Sequence, residues 1–493
     1  MRRAFLAVGV AALIGTAGAA RPTSPAPSLL DYTTVVDVTL EAPFREILAG
    51  APLASGDTGQ GSVSGTLTYA DPEQGAIVTV RGVHVSVRGN SSRIESECSF
   101  PKLALTFDAA DRQSTALDDL DALKIGTHCA DRGGDALTPR YGRLANQRSP
   151  HRESLVYDML RAAGVTTLRT RPARITYIGT DARTTRLTRN ALLIEDDRDA
   201  MKRLGGVADL DAHTFGSARQ RFSVADTARV VFAQALIGNF DWCLRIAPDD
   251  VYRCNARQPL WNVHAFARYG QTALPVVYDF DLAGPVVGRH IWFDEVFDAS
   301  FAASGSPIDV EVLAQLQHAR SVLSREVLEA TRRTFEDAKA AVYAAIESAP
   351  VDEAGRRLAR QYADAFYGIV GDDSRFYSPV IVDSGHTAFA RNDAATPACG
   401  ANSEVPVGTP VGPVLERRRD LVLLRLLDAS WHWTGTRRCD VVHRQPVWIR
   451  AAAIATDYPR SIASAASLAD ARRHPIRDGR ARAGAPTTAR ERK

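Results

Sequence analysis

The sequence predicts an α+β protein. Three observations carry the prediction: alternating apolar and polar residues between 31 and 107, a mixed segment running to Gly284, and long helical periodicity from Val310 onward. Strands first and helices last, without regular strand–helix alternation, indicate segregated rather than interleaved elements. At 493 residues the chain can bury a large core and more than one lobe. Charged residues make up 24% and hydrophobic residues 45%, an ordinary globular balance that excludes wholesale disorder.

The elements follow in chain order. Residues 1–19 read as a secretory signal peptide: Arg2 and Arg3, an apolar run from Ala4 to Ala17, and the small-residue site Ala17-Gly-Ala19, with Gly18-Ala-Ala20 as the alternative. The apolar run is too short for a comfortable transmembrane span, and no transmembrane anchor is expected elsewhere. The mature protein is therefore expected in the periplasm or secreted. Residues 20–30, rich in Pro and Ser, read as a linker. Residues 31–150 form a β-rich region with alternating runs at Thr34–Leu40, Gly61–Tyr69 and Ala76–Val87. Gly59, Gly61 and Gly65 fit a hairpin turn better than a nucleotide loop. A turn at Arg88–Arg93 leads to a strand at Leu103–Phe107 with Lys102 at its start, and a further short strand contains Lys124.

Residues 151–440 form the second, mostly helical part. Leu155 and Met159 share one helix face, and Gly164 ends that helix. Arg174–Ile178 and Ala191–Ile194 pair as strands, with Glu195 just after. Ser223 caps the next helix, with Asp226 as its acidic partner. Helices are expected over 310–349 and 352–369, a loop over 380–412, and a shorter helix over Pro413–Leu427 with proline in its first turn. Residues 441–470 are a C-terminal segment. Residues 471–493 carry eight Lys/Arg against two acids, a local +6, and read as a disordered basic tail. Net charge is +3, so the rest of the chain is about −3 by subtraction and is not a nucleic-acid binder by composition.

Cys98, Cys129, Cys243, Cys254, Cys399 and Cys439 form an even set, which in an exported chain suggests disulfides. Their spacing does not decide the connectivity; sequential pairing (98–129, 243–254, 399–439) is the working expectation. No two have Cys-x-x-Cys spacing, which argues against zinc.

The chemistry is concentrated between Ser223 and Gly284. A helix ends at Gly238 and opens into Asn239-Phe-Asp241-Trp242. After an insert bracketed by Cys243 and Cys254 comes Trp261-Asn262-Val-His264, and the stretch closes on Tyr278-Asp279-Phe280-Asp281. Asp241, Asn262, Asp279 and Asp281 supply the oxygen ligands that magnesium prefers. If Asp279 and Asp281 lie on a strand, they share a face opposite Tyr278 and Phe280. Singly, each piece reads as readily as a polar turn or a solvated strand end. It is the ordered set that carries a signal.

That set, with Val87-Arg-Gly-Asn-Ser-Ser92, Cys98–Phe107, Leu123–Cys129 and Ile194-Glu195, resembles the CotH kinase-like family of exported bacterial proteins. The resemblance spans about residues 80–284. It implies an atypical protein-kinase-like two-lobe fold and transfer of the ATP γ-phosphate to Ser/Thr of an exported or surface protein, with Mg2+ or Mn2+. By the same resemblance Asp241 is the catalytic-loop aspartate. Asn262 and one of Asp279 and Asp281 bind metal. Lys102 or Lys124 contacts phosphate, Glu195 is the ion-pair partner of that lysine, and Arg88 either contacts phosphate or supports its turn. Two positions depart from the family: Trp261 replaces the usual His before the asparagine, and His264 stands where Lys is common, an expected loss of positive charge. A non-catalytic kinase-shaped scaffold of the envelope or cell surface is the alternative reading. A metal-dependent phosphoester hydrolase is a third, disfavoured because no second His/Asp cluster accompanies the carboxylates.

Overall fold

The computed structural model describes residues 27–49, 61–89, 91–94, 97–181, 185–211, 214–215, 222–244, 260–288, 306–381, 386–398, 404–405, 411–426 and 446–455. The expected signal peptide, the basic tail and Cys254, Cys399 and Cys439 lie outside these residues. The described residues form both helices and strands, consistent with the α+β class.

The N-terminal part is a closed barrel of seven strands: β1 (Val36–Ala42), β2 (Val63–Ala70), β3 (Ile77–Arg88), β4 (Lys102–Phe107), β5 (Ala122–Gly126), β6 (Thr170–Gly179) and β7 (Arg186–Glu195). The spatial order is β1-β2-β3-β4-β5-β7-β6, closed by a parallel pairing of β1 with β6 from Val36↔Ala173 to Ala42↔Gly179. Closure removes the open edges that a free sheet would present. Alternation supplies the barrel core, with Val36, Val38, Leu40 and Ala42 of β1 buried beside Leu67, Val85, Leu105, Leu123, Ile175 and Leu193. Leu29 and Leu30, at the end of the stretch expected to be a linker, are also buried in this core, capped by Ser28.

Two short helices, α1 (Phe44–Ala49) and α2 (Ala109–Arg112), decorate the barrel. α3 (Ser149–Ala162) is buried along most of its length. It packs on β6 and β7 on one side and on the helical part on the other. Its Arg152 is fully buried and clamps Asp352 through Nε at 2.9 Å and Nη2 at 2.8 Å. After α4 (Asp197–Arg203) and β8 (Ala208–Asp209) comes α5 (Val224–Leu236), capped by Ser223 as the sequence predicts. β9 (Cys243–Leu244) pairs with β10 (Leu260–Trp261), and β11 (Val263–Ala267) pairs with both β12 (Leu274–Val277) and β8. The short α6 (Gly284–Val287) is followed by the long helices α7 (Pro307–Val322), α8 (Arg325–Ser348) and α9 (Glu353–Val370), and by α10 (Asp373–Phe376). Phe232 of α5 meets Phe335, Phe366 and Phe376, with ring centroids 5.6, 6.3 and 5.9 Å away.

The helix expected over Pro413–Leu427 does not form. Glu416–Arg418 and Leu421–Leu424 make a hairpin turned at Arg419, whose φ is +54°. The short apolar run Leu421–Leu424 fits a buried strand as readily as a helix, and long-range pairing with Val447–Arg450 decides it. That pairing crosses the boundary at 440/441 expected from the sequence.

Tyr362 of α9 draws the two key turns together. A Cβ on Gly238 would fall 2.1 Å from its ring, and one on Gly284 2.0 Å, so only glycine fits either position. Gly284 N–H also donates to Ile237 O at 2.9 Å. The turn carrying Asp241 and the turn carrying Asp279 and Asp281 are therefore fixed against each other.

Candidate functional site

Register brings three basic residues of the barrel onto one face. Arg88 pairs with Lys102, and Ala104 pairs with Lys124. Cross-strand partners share a face and residues two apart repeat it, so Arg88, Lys102 and Lys124 project together. Lys102 Nζ reaches Asp279 Oδ1 at 3.2 Å and Asp281 Oδ2 at 3.1 Å. Lys124 instead pairs with Asp197. Arg88 donates through Nε to Leu103 O at 3.2 Å and stays close enough for its charge to oppose that of Lys102.

Glu195 is a correction. It meets neither lysine, because β5 pairs with β7 so that Lys124 faces Ile194 and Leu123 faces Glu195. Glu195 therefore projects from the opposite face. It is fully buried, held by Arg169 Nε at 2.9 Å and by Arg203 Nε at 2.8 Å and Nη2 at 2.7 Å.

Asp279 and Asp281 converge, but not by strand alternation. β12 ends at Val277, and Asp279 has φ +61°, in the left-handed region. Asn262 likewise interrupts β10 and β11 with φ +53°. Both backbone departures sit at residues the sequence singled out, which is where strained conformations gather. The two carboxylates differ in access: the Asp279 side chain is 35% exposed and that of Asp281 6%. Asp281 Oδ2 also accepts from Arg143 Nε at 2.8 Å, and the two cations overcome burial to hold its carboxyl well below the usual range. Its Oδ1 is buried without a hydrogen-bond partner among the described residues.

Asn239 shapes the next turn: its Oδ1 accepts from Asp241 N at 3.0 Å and its Nδ2 donates to Gln234 Oε1 at 3.0 Å. Asp241 Oδ1 accepts from the Trp261 indole at 2.8 Å, and Oδ2 from Asn262 Nδ2 at 3.1 Å. Trp261 thus supplies a donor to the central carboxylate. Burial, reinforced by the charges of Asp279 and Asp281, pushes the Asp241 carboxyl up to about 7.

Four residues of this neighbourhood were not anticipated. Glu153 and Tyr157, one turn apart on α3, grip the backbone beside the carboxylates: Phe280 N–H donates to Glu153 Oε1 at 3.3 Å and Asp279 N–H to the Tyr157 hydroxyl at 3.2 Å. Burial raises the Glu153 carboxyl, with Asp281 and Asp279 adding to the rise against the pull of Lys102. The available signal was Glu153 and Tyr157 four residues apart, on one face of the helix. Arg143 and Asp197 carried no local signal.

His264 lies in a second cluster. Its Nδ1 is 2.8 Å from Asp209 Oδ2, and its Nε2 is 2.9 Å from Asp197 Oδ1. The second contact lacks hydrogen-bond alignment, which makes Asp209 the firmer partner. Its ring stacks on Tyr278 at 4.1 Å. Burial works against its charge, but the two carboxylates win and push its pKa up to about 9. The expected loss of positive charge at this position therefore does not occur at neutral pH.

Cys98 and Cys129 are disulfide-bonded, as sequential pairing expects. Cys243 is also disulfide-bonded, and its expected partner Cys254 lies outside the described residues. Among the described residues no three His, Cys, Asp or Glu side chains form a metal-ligating group, and no helix is long and apolar enough to cross a membrane. No family model matches the chain, and no curated protein matches it significantly.

Proposed function

We propose that the protein is a metal-dependent phosphotransferase of the exported compartment, with an atypical kinase-like two-lobe fold of the CotH kind, passing the ATP γ-phosphate to Ser/Thr of an exported or surface protein. The observation that carries this reading is the meeting of Lys102 from the barrel with Asp279 and Asp281 from the helical part, beside the Asp241–Asn262 pair. The closed seven-stranded barrel departs from an ordinary kinase lobe. The reading therefore rests on the site rather than on the outline of the fold.

The residues suit a magnesium or manganese ion. Asp281 has a buried oxygen without a partner, Asp279 is the more accessible carboxylate, and Asn262 uses its amide nitrogen on Asp241, leaving the amide oxygen as a ligand. Fewer than three carboxylates is acceptable, because magnesium keeps water and phosphate oxygens in its shell. Bound magnesium would neutralise charge on the phosphates. Lys102 would turn from the carboxylates toward a phosphate oxygen. Asp241, poised near neutrality, would orient the acceptor hydroxyl and take its proton on a carboxylate oxygen.

One observation favours the scaffold reading: Lys102 and Arg143 already neutralise Asp281. Two measurements separate the readings. Purified protein with magnesium and ATP is expected to melt higher than with either alone, by linkage of about 2.7 kcal/mol at a hundredfold excess over Kd. It is also expected to transfer label from ATP to itself or to surface proteins. Asp279→Ala should abolish both. A wild-type protein that neither shifts nor transfers label is a scaffold.

A further inference from the structure

Arg143 is the one cation on Asp281 that does not come from the barrel sheet. It belongs to the connection between β5 and α3, residues 127–148, which contains no helix or strand beyond a single bridge, Leu137↔Leu144. Connections of this length inside a compact domain are uncommon and need ties to hold a defined shape. Two of its ties are adjacent in sequence.

The first is the disulfide between Cys98 and Cys129, reinforced by Ser99 N–H donating to Cys129 O at 2.7 Å. The second is Glu97. Its carboxylate is almost fully buried and gathers the far turn of the connection. It accepts from the Thr138 hydroxyl, from Arg140 N–H at 3.3 Å and from Tyr141 N–H at 3.3 Å, and it lies 3.8 Å from Arg143 Nη1. Thr138 Oγ1 in turn accepts from Arg143 N–H at 3.0 Å. The guanidinium is then aimed by three contacts: Nε on Asp281 Oδ2 at 2.8 Å, Nη2 on Ser91 Oγ at 2.8 Å, and its face over the Tyr141 ring at 4.9 Å.

We propose that Arg143 is a positioning residue for the Asp279–Asp281 turn, and that the Cys98–Cys129 disulfide acts on the site through Glu97 and Arg143. The disulfide fixes Cys98, and with it the neighbouring Glu97. Glu97 fixes the 138–143 turn, and the turn holds the planar donor fork of Arg143 against Asp281. A lysine would keep the charge but not the fork, so it would replace one contact and lose the others. The functional part of this inference rests on the phosphotransfer reading. The mechanical coupling does not.

The test is amide hydrogen exchange of the full chain, followed peptide by peptide. Four variants are compared with wild type: Cys98→Ala/Cys129→Ala, Glu97→Gln, Arg143→Gln and Arg143→Lys. Point variants are preferable to a reductant, which would also open the disulfide at Cys243. Peptides covering 277–284 are expected to exchange about tenfold faster in the double-cysteine, Glu97→Gln and Arg143→Gln proteins, with partial recovery in Arg143→Lys. Peptides covering 36–42 and 353–370 should be unchanged. A purely structural disulfide would loosen 127–148 and leave 277–284 as in wild type, which overturns the proposal. Unchanged exchange at 277–284 in Arg143→Gln overturns it as well. If the double-cysteine protein does not fold, Glu97→Gln decides, since it leaves the disulfide intact. The magnesium–ATP melting shift is read on the same proteins. Its loss in Arg143→Gln links the coupling to nucleotide binding, and a retained shift there overturns that functional part. Absence of the shift in wild type sinks the phosphotransfer reading, and the exchange result still decides the coupling.

Discussion

Two charged clusters bridge the barrel to the helical part, each built on a lysine from the same face of the sheet. Around Lys124 the charges match: Lys124 and His264 face Asp197 and Asp209. Two of these groups are stabilised in their charged forms: the Asp197 carboxyl is held well below its usual range and the His264 imidazole is raised. Around Lys102 they do not match. Asp241, Asp279, Asp281 and Glu153 outnumber Lys102 and Arg143, even with Arg88 counted nearby. Burial, with the neighbouring Asp279 and Asp281 adding to it, pushes the Asp241 and Glu153 carboxyls toward neutrality. A balanced cluster is complete as a latch, whereas one with excess buried carboxylate gains from a further cation. Strongly shifted groups mark functional sites only when no structural partner accounts for them. Here ion-pair partners account for His264, whereas burial and two neighbouring carboxylates, not an ion pair, raise Asp241.

Removing one carboxylate from each cluster should separate them most. Asp281→Ala leaves Lys102 and Arg143 buried against fewer charges, and arginine cannot shed its proton. Loss of about 3–5 kcal/mol is expected in urea unfolding at neutral pH. Asp209→Ala should cost about 1–2 kcal/mol, because His264 can become neutral when its firmer partner is gone. Equal losses would mean that charge balance does not distinguish the clusters.

The pH dependence sharpens the same contrast. The His264 pKa is raised from 6.5 to about 9, so its contribution is fully present below 6.5 and is lost as pH rises through about 9. The shift corresponds to about 3 kcal/mol, and His264→Gln should flatten stability over that window. Asp241 is also raised, from 3.8 to about 7, so its neutral form favours the fold at low pH and stability falls as pH rises toward 7. Asp241→Asn should flatten this lower window only. Urea unfolding of each variant against wild type across pH assigns each slope to its residue.

Chain order made the Asp241, Asn262, Asp279 and Asp281 set legible, because each sits at the end of a strongly patterned segment. Alternation likewise revealed most barrel strands, and Ser223 announced α5. Barrel closure was hidden, since it depends on β1 pairing with β6 far along the chain. The manner in which Asp279 and Asp281 converge was hidden too, because a left-handed φ at an aspartate has no reliable sequence mark. The choice of Glu195 failed on register: a one-residue offset puts a side chain on the other face. Arg143 was illegible because its role depends on Glu97 and the disulfide, neither of which is near it in sequence.

The smallest expected effect compares two buried tyrosines. The Tyr157 hydroxyl accepts from Asp279 N–H in the site, and its ring meets Phe280 edge-on at 4.7 Å. The Tyr177 hydroxyl lies in the barrel with no hydrogen-bond partner among the described residues. Phenylalanine keeps the ring contacts in both cases, so each substitution isolates the hydroxyl. Tyr157→Phe should cost about 1 kcal/mol, toward the low end because water can reach the partly exposed Asp279 turn. Tyr177→Phe should be neutral or stabilising, since it removes a buried polar atom that makes no bond. If Tyr177→Phe is the more costly change, that hydroxyl has a partner, such as an ordered water, and the barrel interior is wetter than the protein contacts alone indicate. If both are neutral, the grip of α3 on Asp279 comes from Glu153 and from ring packing rather than from the Tyr157 hydroxyl.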